Sequence, residues 1–298
     1  MKQNILLFIF LVFCFSFTQF VNSQGIIKDD FLVNDDAGNA DQIVPSIAMD
    51  VAGNFVIVWY DFRNANWDIY FQRFTSTGVP LGANTKVNDD TTTASQEHPS
   101  ISMDVTGNFV IVWSDNRNNH YDIYYQRFTS TGAALGVNTK VNDDAGTAKQ
   151  WDPSISMDAA GNFVVVWIDE RNINRDIYYQ RYTSTGGALG VNTKVNDDAS
   201  TADQIAPTIL MDAAGNFVTV WHDFRNNNWD IYYQRYNSTG AALGVNTKVN
   251  DDAGTEFQMY PTISMDVTGN FVVVWQDFRN IDWDIYFQRF TSTGAPLG

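Results

Sequence analysis

The stretch PSISMDVTGNFVIVWSDNRNNHYDIYYQRFTSTG (residues 99–132) decides the fold, because close copies of it recur along the whole chain. Pro45, Pro99, Pro153, Pro207 and Pro261 stand 54 residues apart. Gly53, Gly107, Gly161, Gly215 and Gly269 keep the same step, and so do Trp59, Trp113, Trp167, Trp221 and Trp275. No insertion or deletion interrupts the period. A fixed period of this kind marks a repeat architecture, in which each unit covers its neighbour.

Each unit reads as four short strands. In the fourth, PTILMD (207–212) alternates and AAGN follows, with Gly where a tight hairpin needs positive φ. NFVTVWHD (216–223) is apolar enough to be covered on both faces. FRNNNW is a polar loop, DIYYQRYN (230–237) a third strand, and VNTKVND (245–251) a fourth after the turn STGAALG. No stretch has helical periodicity. One such meander cannot bury both faces alone, whereas copies stacked around an axis bury them against each other. The expectation is an all-β, five-bladed β-propeller of 54-residue, four-stranded blades, forming one domain over 24–298. FLVNDD (31–36) aligns with the fourth strand of the other units, and Gly298 falls where the fifth unit's own fourth strand would begin. The N-terminal strand is therefore expected to complete the last blade and close the ring. The competing reading is a piece of a longer array.

The chain opens with Lys2, an apolar run from Ile5 to Phe17, and Val21-Asn22-Ser23. That layout predicts a secretory signal peptide over 1–23, cleaved after Ser23, and a secreted, cell-surface or periplasmic protein. Phe13 argues against a lipoprotein signal at Cys14, the only cysteine, so the mature chain would hold itself together by its core, without disulfides. Removing residues 1–23 takes Lys2 away, leaving 34 acids against 17 basic residues, a net charge of −17. Such a surface repels nucleic acid and anionic membrane, which excludes both as expected partners.

With the blade laid out, Pro, the Asp and Gly of the first hairpin, the apolar strand, the Asp and Arg, and the Ile-Tyr strand resemble the TolB-type (PD40) propeller repeat. The blade also resembles repeats of secreted bacterial proteins related to sialidase (BNR) propellers. That resemblance implies the fold. It departs from those families in blade number, five against their six, and in lacking the S-x-D-x-G-x-T-W box. It carries over no catalytic residue.

The five copies differ mostly on one side. The turns joining the first strand to the second (A–B) and the third to the fourth (C–D) hardly change, whereas the loops expected at the opposite, top face diverge: DQIV, SQEH, KQWD, DQIA and FQMY before each proline. Trp67, Tyr121, Arg175, Trp229 and Trp283 occupy one equivalent position there; with Trp151, His98 and His120 they form the candidate ligand set. Flat aromatic faces among Asn and Asp suit sugar rings. Their structural alternative is packing against the next blade. Glu97, His98 and His120, near Asp152 and Glu170, are metal-ligand types without diagnostic spacing. Calcium is a candidate cofactor at the repeated Asn-Asp-Asp, such as Asn142-Asp143-Asp144. The fivefold Asp-x-Arg-Asn, first at Asp61-Arg63-Asn64, reads as an ion-pair scaffold.

Near-identical blades favour a non-catalytic propeller, multivalent for a glycan or another surface polymer, since equivalent weak sites gain avidity. The alternatives are a glycoside-cleaving enzyme, requiring two carboxylates in one pocket, and a structural propeller with a surface-protein partner.

Overall fold

Phe, Val, Ile and Trp fill the middle of every repeat, and such branched or flat side chains suit a strand covered on both faces. The structure, a computed structural model, describes residues 30–298, and the chain divides into a unit Met1–Leu32 and a unit Val33–Gly298. The signal segment expected over 1–23 lies outside the described residues. Among the described residues no helix is long and apolar enough to cross a membrane.

Val33–Gly298 folds into five antiparallel sheets, one per repeat, with the strands of each sheet in sequence order. Blade 1 is β1 (Gln42–Met49), β2 (Phe55–Asp61), β3 (Asp68–Phe74) and β4 (Thr85–Lys86). Blade 2 is β5 (Gln96–Met103), β6 (Phe109–Asp115), β7 (Asp122–Phe128) and β8 (Ala134–Lys140). Blade 3 is β9 (Gln150–Met157), β10 (Phe163–Asn172), β11 (Asn174–Tyr182) and β12 (Ala188–Lys194). Blade 4 is β13 (Gln204–Met211), β14 (Phe217–Asp223), β15 (Asp230–Tyr236) and β16 (Thr247–Lys248). Blade 5 is β17 (Gln258–Met265), β18 (Phe271–Asp277) and β19 (Asp284–Phe290). The all-β five-bladed propeller is thus the fold.

Successive blades bury their facing sides. Between blades 1 and 2, Phe71 meets Phe109 edge-on with centroids 5.3 Å apart, and Phe109 stacks on Phe128 at 5.0 Å. The same trio recurs as Tyr125, Phe163 and Tyr182 one junction later. Trp113, Trp167 and Trp221 are fully buried. Burying each such ring stabilises the fold by roughly 2–3 kcal/mol.

The Asp-x-Arg-Asn motif is the expected scaffold. Trp59 Nε1 donates to Asp61 at 3.0 Å, and Arg63 donates to Asp61 at 2.8 Å and to Asp35 at 2.8 Å. Its guanidinium lies 4.2 Å over the Tyr70 ring. Arg117, Arg171, Arg225 and Arg279 repeat the arrangement, so a buried carboxylate is fully paired in every blade. The Asn-Asp-Asp named for calcium joins this network in part. Asn142 Nδ2 donates to Asp122 and Gln150, each at 2.8 Å, and Asp143 accepts from Arg171 at 2.8 Å. These side chains tie one blade to the next.

Two expectations change. The first strand starts at the Gln three residues before each proline, because a bulge carries the ladder past it: register shifts between Glu97 and Ser100, for example. And the described residues show no ladder between the last blade and Val33–Asp36, the part of FLVNDD within this unit. Residues 30–41 carry no strand, and among the described residues β19 is laddered to β18 alone. Asn34 and Asp35 instead bond blade 1, at Gln42 (3.0 Å) and Arg63 (2.8 Å), as Asn88 and Asp89 bond Gln96 and Arg117 of blade 2. The segment makes the half of its contacts that face blade 1.

Candidate active site

Each bulge places the residue before proline in a left-handed conformation: Val44 (φ 51°), His98 (53°), Asp152 (56°), Ala206 (50°) and Tyr260 (53°). A non-glycine residue there costs about 1–3 kcal/mol, and more so before proline, whose ring disfavours helical backbone at the preceding residue. The first strands β1, β5, β9, β13 and β17 pack successively against one another. The five strained positions therefore form one series at the top ends of these strands, with five different side chains.

At the junction of blades 2 and 3 this series opens into a pocket of about 180 Å³, lined by Glu97, His98, Ser114, Tyr121, Lys149 and Trp151. Asp152 follows Trp151, and its backbone N–H donates to Ser114 Oγ at 3.1 Å. Burial raises the Asp152 pKa above the ordinary carboxylate range, against the opposing pull of His98. Burial also pushes the Tyr121 hydroxyl up to about 12, with the charge of Glu97 adding to it. Tyr60 is raised by the same two causes in the same order. Trp151 carries Arg175 over its ring at 5.7 Å, and Arg175 reaches Glu170 at 3.5 Å and Asp203 at 3.8 Å.

Of the residues singled out from sequence, His98, Tyr121, Trp151 and Arg175 come together here, with Glu97. Trp67, Trp229 and Trp283 do not: each has aromatic neighbours within its own blade, and Trp283 stays half exposed. Trp67 lies 4.9 Å from both Tyr60 and Phe62, Trp229 lies 4.9 Å from His222 and 5.0 Å from Phe224, and Trp283 lies 5.1 Å from Phe278. His120 turns to the buried Asp122, 3.4 Å away, and no group of three or more His, Cys, Asp or Glu among the described residues is arranged to hold a metal. Glu97, His98 and His120 are thus not gathered into one such group. Sequence reasoning missed Ser114 and Lys149. Both were visible by comparing repeats: Ser114 stands where the other blades have Tyr60, Ile168, His222 and Gln276, and a small residue there leaves space. Larger grooves of 250–320 Å³ lie between the A–B and C–D turns on the opposite face, but they recur with the same Arg, Asp and Phe at several junctions.

No protein-family model matches the chain, and no curated protein matches it in sequence. Solved structures do match. A protein of unknown function from Dyadobacter fermentans aligns at 8% identity over 89% of this chain and 84% of its own, with TM-score 0.61. Penicillium chrysogenum α-L-arabinanase, complexed with arabinobiose, aligns at 12% identity over 82% of this chain and 80% of its own, with TM-score 0.55. The GH93 α-L-arabinofuranosidase of Fusarium graminearum, also with arabinobiose, gives the same figures: 12%, 82%, 80% and 0.55. These likenesses support the propeller; the TolB and sialidase names find no support among them. They also overturn the expectation of a non-catalytic, multivalent binder, since an α-L-arabinanase and a GH93 α-L-arabinofuranosidase are among the propellers found.

Proposed function

We propose that the chain is a glycoside-cleaving enzyme acting on a polysaccharide at the junction of blades 2 and 3. The observation that carries this reading is a second carboxyl group, Asp152, with a raised pKa, beside a pocket that already holds Glu97. Two carboxyl groups with different environments are what hydrolysis of a glycosidic bond requires. Asp152 gives its proton to the glycosidic oxygen as that oxygen leaves the anomeric carbon. Water forms the new bond to that carbon, and its proton passes to Glu97. Trp151 offers a flat apolar face to the sugar ring. The two hydrolases whose structures resemble this chain are complexed with arabinobiose, which supports a glycan as the partner. Export through residues 1–23 would bring the enzyme to such a polymer.

The test is reducing-end release from linear arabinan, polygalacturonate and carrageenan. The wild-type chain should cleave at least one. Asp152→Asn should lower kcat about 100-fold or more, the usual contribution of a general acid, with the thermal transition retained. An Asp152→Asn variant as active as wild type, or a wild-type chain that cleaves nothing, removes the proposal.

A further inference from the structure

In a chain of net charge −16, cations that break the repeat are conspicuous. Four lysines occupy one equivalent position, and each pairs with a buried aspartate at 2.7 Å: Lys86 with Asp68, Lys140 with Asp122, Lys194 with Asp176, and Lys248 with Asp230. Among the described residues Lys149 is the one lysine outside this pattern. Its place in the other blades is taken by Asp41, Ser95, Asp203 and Phe257. It is exposed and lines the pocket beside Trp151. Arg175 is the second departure, standing where the other blades have Trp67, Tyr121, Trp229 and Trp283, and it lies over the same Trp151 ring. Trp151 is itself the third, since its equivalents are Ile43, Glu97, Ile205 and Met259.

Three independent departures thus meet at one point: an indole with a cation on each of two neighbouring segments. A repeat drifting without function has no reason to gather around this unshared indole the two unshared Lys and Arg side chains of the described residues. We infer that the ring bound on Trp151 carries an anionic group, a uronate carboxylate or a sulfate ester, which Lys149 and Arg175 receive. The inference rests on the reading of this pocket as the glycan site and names the class of glycan. Lys149 meets the anion as a compact point charge, while Arg175 offers a planar fork, held in place by Glu170 and Asp203. The negative charge elsewhere makes this a local attraction within a repelling surface, so it weakens within a Debye length of about 8 Å at physiological salt.

The experiment separates binding from cleavage. Asp152→Asn, and the double variant that adds Lys149→Gln, are titrated with linear arabinan, polygalacturonate and carrageenan by calorimetry, beside cleavage assays of wild type and Lys149→Gln on the same polymers. The expected result is tighter binding of an anionic polymer than of arabinan, weakened about three- to fivefold by Lys149→Gln, the range for one exposed charge pair. Lys149→Arg should restore it, and raised salt should erase the preference. Polygalacturonate against carrageenan distinguishes carboxylate from sulfate. Arabinan bound as well as either anionic polymer overturns the inference while leaving the hydrolase reading intact. Anionic preference without cleavage of any polymer keeps the inference and removes the hydrolase reading.

Discussion

The junction between blades 2 and 3 and the junction between blades 4 and 5 start from the same backbone. In both, a strained residue before proline points its N–H back at the preceding blade. Asp152 N–H finds Ser114 Oγ at 3.1 Å, and Tyr260 N–H finds His222 Nδ1 at 3.1 Å. The acceptors differ in size, and that decides what each junction becomes. Serine leaves space, and a pocket with ionisable walls results. Histidine fills it: its ring lies 4.9 Å from Trp229 and 5.6 Å from Tyr260, and it is fully buried. One hydrogen bond is kept at both junctions, and the volume behind it is spent on chemistry at one and on packing at the other.

The sharpest way to break this comparison is to give the first junction a side chain from its siblings. Ser114→Ile, copying Ile168 of blade 3, should fill the pocket and lower polymer cleavage more than tenfold, because a misplaced substrate loses much of its positioning advantage. The thermal transition should survive, since one blade already carries isoleucine there. Retained cleavage would show that the pocket is not the site.

His222 tests the other side. Burial lowers its pKa to about 4, below its unfolded value of 6.5, so the fold holds it neutral. The stability it contributes is present above pH 6.5 and lost as pH falls toward 4, by about 3 kcal/mol over the whole window. Denaturant titrations across that window should show the loss, and His222→Gln should flatten it. A wild-type chain with no such slope would mean that His222 is protonated at little cost in the fold.

The smallest effect concerns His98, which pulls the Asp152 pKa down against burial. Without that pull the Asp152 pKa rises further, so His98→Gln should move the alkaline limb of the kcat/KM profile to higher pH. A limb that stays in place, or moves down, would separate His98 from the proton donor.

The repeat itself was legible because its cues are local. Gly53 and its equivalents, all at φ of 82–88°, make the turn that a side chain would strain. Trp59 and its equivalents mark the covered strand, and the Asp and Arg after it close the loop. Such periodic choices need no knowledge of the neighbour, so the sequence alone determined five repeated blades and the face on which they diverge. The tertiary structure decided which divergent residues meet. Trp151 and Trp229 hold different places in the repeat, but neither place tells that one borders a pocket and the other packs on His222, because Ser114 and His222 are contributed by a different strand from the residues they shape. It also decided that Asn34 and Asp35 bond blade 1 and that, among the described residues, β19 is laddered to β18 alone. Volume, burial and the pKa of Asp152 arise only when separate blades come together, and no single stretch of sequence carries them.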